Sequence, residues 1–354
     1  MRLRPSFRAL PVALTAFTFV LAACGASASA TTGSSSGTPA AADVRLGYFP
    51  NITHATALVG VGNGTYAHEL GSLGALKTQI FNAGPAAVEA LFSGAIDMSY
   101  VGPNPAINAY VQSHGSAIRV ISGATSGGAS LVVKPDINSA SDLKGKKVAS
   151  PQLGGTQDVA LRYWLDQKGL KTDATGGGDV SIVPQDNAQT LQTFQSGAIS
   201  GAWVPEPWAT RLVQEGGGKV LVDERSLWPN GNFVSTVLIV RKEFLDAHPA
   251  QVKAILRAQV KTNKYLADHP AEAQAVANSE IQRLTGKALK AATVASSWKN
   301  LHFTNDPLSA TLHEDIKHAQ SVGLLKSTDV SHLFDLTLLN QVLTEAGEAT
   351  VKAT

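Results

Sequence analysis

Ser93-Gly94-Ala95-Ile96, followed by Tyr100-Val101, returns 103 residues later as Ser196-Gly197-Ala198-Ile199, followed by Trp203-Val204, with no gap. A helix-like run precedes each copy and a strand fits inside each. A Pro-rich tip then follows, Gly102-Pro103-Asn104-Pro105 in the first copy and Pro205-Glu206-Pro207-Trp208 in the second. The distance is too long for a solenoid repeat, whose periods run roughly 20–50 residues. It fits two similar α/β lobes, each offering one loop at the same structural place. Two such lobes facing each other make a cleft, and a cleft implies a ligand.

Outward from the repeat, short β-rich runs alternate with helical ones. Val44–Phe49 reads as an opening strand stopped by Pro50-Asn51, and His54–Val61 as the first helix. Strands at 76–81, 98–101 and 119–122 enclose helices at 85–92 and 105–112. This alternation predicts a mainly parallel sheet covered by helices. Thr125-Ser126-Gly127-Gly128 breaks the pattern, and a second series runs through strands at 129–133, 180–183 and 199–203. Phe233–Arg241 is rich in β-branched residues and reads as a strand. Beyond it the chain turns helical, with Val252, Ile255, Leu256 and Val260 on one face and joints at His248-Pro249 and His269-Pro270. The expected fold class is therefore α/β with two lobes, a hinge near 126–129 and 234–240, and a central cleft. Lobe 1 is expected over 44–124 plus about 237–354, and lobe 2 over 125–236.

The amino terminus reads as targeting rather than fold. Arg2, Arg4 and Arg8 precede an apolar run, Ala9–Ala22, of signal-peptide length. Leu21-Ala22-Ala23-Cys24-Gly25 resembles the bacterial lipobox, which implies cleavage after residue 23 and lipidation of Cys24. An ordinary secretory peptide cut near residue 28 or 30 is the alternative. Residues 24–43, almost all Ala, Ser, Gly and Thr, suit a flexible tether. Removing 1–23 takes three of the 29 Lys and Arg and none of the 27 Asp and Glu, turning a formal charge of +2 into −1. The basic character belongs to the leader, and no polybasic nucleic-acid surface is expected. Cys24 is the one cysteine, which excludes a disulfide framework and cysteine metal sites. The remaining ~310 residues are long for a single core.

The lipobox, the tether, Leu46-Gly47-Tyr48-Phe49-Pro50, Leu143-Lys144-Gly145-Lys146-Lys147-Val148-Ala149 and Glu206-Pro207-Trp208 together resemble a substrate-binding lipoprotein of an ABC importer. The chain is similar to the nitrate/sulfonate/taurine branch over about 44–345. That resemblance implies a periplasmic-binding-protein-like (type II) fold that closes on a small solute. It also implies lipid anchoring on the extracytoplasmic face of the cell membrane and an ABC permease as partner. An aliphatic sulfonate or taurine is the leading solute class; nitrate, a thiamine pyrimidine precursor and a flavin are alternatives. No cofactor, metal or nucleic acid is expected, and the protein is expected to be a monomer.

Ligands of open α/β sheets sit beyond the carboxyl ends of strands, and five loops qualify here. In the first, Asn51, Thr53 and His54 offer hydrogen-bonding groups at a helix start, although helix capping accounts equally well for Asn51 and better for Thr53, and a lone histidine such as His54 is more often structural. In the second, Gly154-Gly155-Thr156-Gln157 lets the backbone approach an anion, with Gly155, Thr156 and Gln157 as contacts; the family places its anionic group at such a run. Ser126 and Gly127 form the third, with a hinge as the other reading. The fourth and fifth are the repeated tips, Gly102 with Asn104 and Glu206 with Trp208. An ionised Glu206 in the cleft repels a pure anion, so a zwitterion becomes attractive, or Glu206 meets the permease instead. Trp203, inside its strand, is assigned to the core.

Enzyme motifs fail on context. Gly33-Ser34-Ser35-Ser36-Gly37 lies in the tether with no strand before it. Ser141–Lys144 lacks its companion motifs. His313 and His318, five apart, lie ~140° around a helix from each other and cannot share a metal. The cysteine-rich site of pyrimidine synthases is impossible without cysteines in the body.

Overall fold

The computed structural model describes residues 40–326 and 329–353. The leader, Cys24 and most of the 24–43 tether lie outside these residues. The chain opens with β1 (Val44–Tyr48), α1 (Ala55–Gly62), α2 (Thr65–Leu70), β2 (Leu76–Ile80), α3 (Gly84–Phe92), β3 (Met98–Val101), α4 (Pro103–Gln112) and β4 (Ile118–Gly127). It continues through β5 (Ala129–Val133), β6 (Lys147–Ser150), α5 (Thr156–Gln167), β7 (Ser181–Pro184), α6 (Asn187–Gln195), β8 (Gly201–Pro205), α7 (Trp208–Gln214) and β9 (Lys219–Asp223). The last part holds β10 (Val234–Arg241), α8 (Lys242–Ala247), α9 (Pro249–Asp268), α10 (Pro270–Thr285), α11 (Ala291–Trp298), β11 (Leu301–Phe303), α12 (Ser309–Ser321) and α13 (Thr337–Glu345).

The repeat is a helix stop, built twice from the same hydrogen bonds. Gly94 (φ 71°) and Gly197 (φ 79°) adopt the left-handed conformation that ends a helix cheaply only at glycine. Ala95 N–H donates to the Ala90 carbonyl at 2.8 Å, and Ala198 N–H to that of Thr193 at 2.9 Å. Gly94 and Gly197 N–H reach Leu91 and Phe194 at 3.1 Å in both copies. These paired bonds satisfy helix-end carbonyls and turn the chain into β3 and β8. Tyr100 and Trp203 on those strands are fully buried. Trp203 is core, its indole N–H held by Glu224 Oε2 at 2.7 Å.

Among the described residues the strands form two sheets, ordered β11-β4-β10-β3-β1-β2 and β7-β6-β8-β5-β9. The expectation of mainly parallel sheets needs correction. β1 runs parallel to β2 and β3, and β6 to β7 and β8. β10 is antiparallel to β3 and β4, β11 to β4, and β5 to β8 and β9. The reason is the crossing between sheets: β4 leaves the first sheet at its end, and β10 re-enters from the second, running back against β3 and β4. Gly127 (φ 81°) and Gly128 (φ 76°) make the turn into β5. A Cβ on Gly128 would press on the far end of the Leu301 side chain, which would have to shift, so the positive φ is the main demand for glycine here.

The helical tail packs on the first sheet. Pro249 and Pro270 open α9 and α10 at the first helical position, where proline lacks no needed donor. Val252, Ile255, Leu256 and Val260 are buried in one core with Leu58, Tyr66 and Leu339.

Candidate functional site

The carboxyl ends of β1, β2, β3, β6, β7 and β8 converge on one cavity. Its walls include Phe49, Asn51, Thr53 and His54 after β1, Asn82, Ala83 and Gly84 after β2, and Gly102 and Pro105 after β3. From the second sheet come Pro151, Gln152, Gly155, Thr156 and Gln157 after β6, Asn187 after β7, and Pro205 at the end of β8; Ser235 closes the ring. The cavity volume is ≈ 40 Å³, room for roughly three water molecules.

No charged side chain lines it among the described residues. Instead α3, α4, α5 and α6, of 9, 10, 12 and 9 residues, all begin at its wall. Each helix start carries a partial charge of about +0.5, and free first-turn N–H groups remain except where proline stands, at Pro85, Pro103 and Pro105, so that α5 and α6 offer the most donors. Four such ends around one small volume make an environment for a negative group. The Thr156 Oγ and the Asn187 Oδ1 are buried here, and no protein atom takes up their hydrogen-bonding capacity.

His54 is buried against Phe49, ring centroids 4.2 Å apart. The Phe49 N–H donates to His54 Nδ1 at 3.4 Å, which assigns the ring proton to Nε2. Burial pushes this imidazole down to about 3, so it serves as a neutral donor. Because the folded value lies below the ordinary 6.5, its contribution to stability is complete above 6.5 and is lost as pH falls toward 3. Solute affinity is accordingly expected to stay flat between about pH 5 and about pH 8. Isothermal titration across that range checks this, and a slope centred near the ordinary histidine value contradicts it.

Of the residues singled out in the sequence, Asn51, Thr53, His54, Gly102, Gly155, Thr156 and Gln157 meet at this cavity. The others have different surroundings. Asn104 is buried in the first turn of α4, its amide N–H donating to the Asp315 carbonyl of α12 at 3.5 Å. Ser126 and Gly127 pair with the start of the return segment, Ser126 Oγ accepting from Phe233 N–H at 3.3 Å and Gly127 N–H donating to the Phe233 carbonyl at 3.1 Å. Trp208 donates its indole N–H to Asn51 Oδ1 at 2.9 Å and turns its ring into a neighbouring chamber.

Glu206 lies outside the cavity wall. Its carboxylate accepts from Thr210 N–H at 3.1 Å, Thr210 Oγ at 3.0 Å, Ser297 Oγ at 3.1 Å and Asn300 Nδ2 at 2.7 Å. Four donors saturate it and tie the β8–α7 turn to α11. Glu206→Gln is therefore expected to lower the melting temperature, at a cost of about 1.5–3 kcal/mol for a charge-assisted bond, while solute affinity stays within about twofold. A large affinity change with an unchanged melting temperature contradicts this placement.

Asn82, Gln152, Asn187 and Ser235 complete the wall and were not singled out. Asn82 and Asn187 each follow a readable strand and precede a readable helix, the same signal that found the Gly155–Gln157 loop.

Two sheets whose strand ends enclose a polar cavity without charged side chains define a solute-binding architecture. The chain belongs to the NMT1-like family, whose model matches residues 37–281. It is 30% identical over 235 residues to the taurine-binding periplasmic protein of Escherichia coli K12, covering 65% of this chain and 69% of that one. The fold matches the alkanesulfonate-binding protein SsuA of Xanthomonas axonopodis pv. citri bound to MOPS, with TM-score 0.69 at 18% identity over 82% of this chain and 96% of that chain. It likewise matches the periplasmic nitrate-binding protein NrtA of Synechocystis PCC 6803, with TM-score 0.71 at 16% identity over 87% and 90%. These relatives are binding proteins, not enzymes, and the chain is a solute-binding protein of periplasmic-binding fold.

Proposed function

We propose that this protein captures a small organic sulfonate, taurine first among them, on the extracytoplasmic face and hands it to an ABC permease. The convergence of four helix starts on a cavity free of charged side chains carries this reading. Sulfonate oxygens are met there by the Thr156 hydroxyl, the Asn51 amide N–H and His54 Nε2–H. The taurine-binding relative supports the same class.

A second feature favours a zwitterion. A mouth of ≈ 450 Å³ shares Asn82, Ala83, Pro151 and Gln152 with the cavity and adds Gln185 and Asp186. The Asp186 carboxylate, bonded by Asn82 Nδ2 at 3.2 Å, suits an ammonium group a few atoms from the sulfonate. Nitrate is the second reading, favoured by the small volume; it makes no use of Asp186.

Capture works by closure of two bodies, 44–124 with 237–354 and 125–236. The solute touches both and so lowers the free energy of the closed arrangement by its differential affinity. Asn82–Asp186 and Asn108–Gly154, the latter at 3.4 Å, bridge the two sets of loops. Lipidation at Cys24 and the tether over 24–43 would hold the monomer near its permease.

A thermal-shift panel of taurine, methanesulfonate, nitrate, thiamine pyrimidine and flavin tests the assignment. At equal concentrations taurine is expected to stabilise most, by about 2.7 kcal/mol where that concentration is a hundredfold above its Kd. If no sulfonate moves the transition, the sulfonate reading falls.

A further inference from the structure

Beside the solute cavity lies a chamber of ≈ 300 Å³ with a different character. Pro50, Pro207, Trp208, Ile281 and Leu289 give it apolar walls, and Arg211, Lys287 and Lys290 stand around it. The one acid in its lining, Glu215, is engaged by Arg211 through two bonds of 2.9 and 3.1 Å. Lys287 and Lys290 form no ion pair among the described residues, so the chamber carries a surplus of positive charge.

We propose that this chamber is a second binding site, for an aromatic or bulky aliphatic carboxylate or sulfonate. Its volume sits at the low end of small-molecule pockets, which combine apolar walls with a few placed polar groups. The walls are also held in place, which spares a ligand the cost of ordering them. The Trp208 indole is fixed by its bond to Asn51, and the Arg211 guanidinium lies 4.5 Å from the ring centroid. Leu289 is clamped on both sides of its backbone by the Asn278 amide, at 2.8 and 2.9 Å. An arene would stack on Trp208 against Ile281 and Leu289, with its anionic group toward Lys287 and Lys290.

Charge and polarity separate this site from the solute cavity. The cavity is small, polar and uncharged; the chamber is larger, apolar and cationic, and Asn82 is the one residue lining both. The proposal extends beyond solute capture and stands even if the solute is not a sulfonate.

The test is isothermal titration of 1-naphthoate into the wild-type protein, Leu289→Glu, the double charge reversal Lys287→Glu/Lys290→Glu, and Thr156→Asp in the solute cavity. Wild type is expected to bind with Kd below about 1 mM. Leu289→Glu and the double reversal are each expected to weaken binding by about tenfold or more, while Thr156→Asp leaves it unchanged. The two lysines are exposed, so the double reversal reports on the site even if Leu289→Glu does not fold. Absence of binding to wild type overturns the proposal. So does binding lost in Thr156→Asp, or kept in the double reversal.

Discussion

Thr156→Asp is expected to abolish capture of the proposed sulfonate while leaving the protein folded. Thr156 opens α5 and its hydroxyl faces the cavity, so the new carboxylate occupies the place where the four helix starts favour a negative group. Two negative charges about 4 Å apart repel by about 4 kcal/mol at the effective dielectric of a partly buried site, a loss of roughly a thousandfold in affinity. In the folded state an acid in the first turn of a helix gains about 0.3–1 kcal/mol at an exposed site, which at the buried Thr156 offsets only part of the cost of desolvating the new charge. The nearby Asp158 opposes this little: its charge is taken up by Arg162 Nε at 2.9 Å, Ser150 Oγ at 2.7 Å and Gly154 N–H at 3.1 Å. Thr156→Asn, nearly the same size as Asp and neutral, is expected to bind within about tenfold of wild type. Titration calorimetry with taurine, alongside melting curves, separates charge from shape. Equal binding by the Asp and Asn variants contradicts a site built on helix dipoles.

Gly102→Ala is expected to weaken capture by about ten- to a hundredfold through a single methyl group. Gly102 has φ −71° and ψ 164°, a conformation open to alanine, so the backbone gives no reason for glycine. The reason is contact: a Cβ there would run into the Thr156 hydroxyl oxygen on the opposite wall. Overpacking of this kind costs about 1–3 kcal/mol, and it falls on the arrangement in which the two walls meet. Removing the oxygen removes the clash, so a double-mutant cycle with Thr156→Ala should show favourable coupling. Strict additivity of the two losses would mean the walls do not meet when solute binds.

Local signals in the chain were legible; long-range partners were not. The helix stop at Gly94 and Gly197 could be read because its pattern lies within six residues. The cavity-facing loop at Gly155–Gln157 was readable as glycines before a helix start. Asn82 and Asn187 obey the same rule, but asparagine between a strand and a helix looks like an ordinary turn until both are seen across one cavity. Glu206 illustrates the opposite limit. Its tip position suggested the cleft, yet its orientation is set by Ser297 and Asn300, 91 and 94 residues away. Trp208 likewise takes its place from Asn51, 157 residues earlier. Strand direction in β10 escaped because it depends on where the chain re-enters the first sheet, which no local pattern encodes.

We propose that the cavity at the helix starts holds the solute's negative group. A crystal structure of the taurine complex tests it most directly. The expected result places sulfonate oxygens within about 3 Å of the Thr156 hydroxyl, the Asn51 amide and first-turn N–H groups of α5, with the ammonium toward Asp186. Taurine bound at Glu206 or in the apolar chamber, with none at the helix starts, would contradict the account.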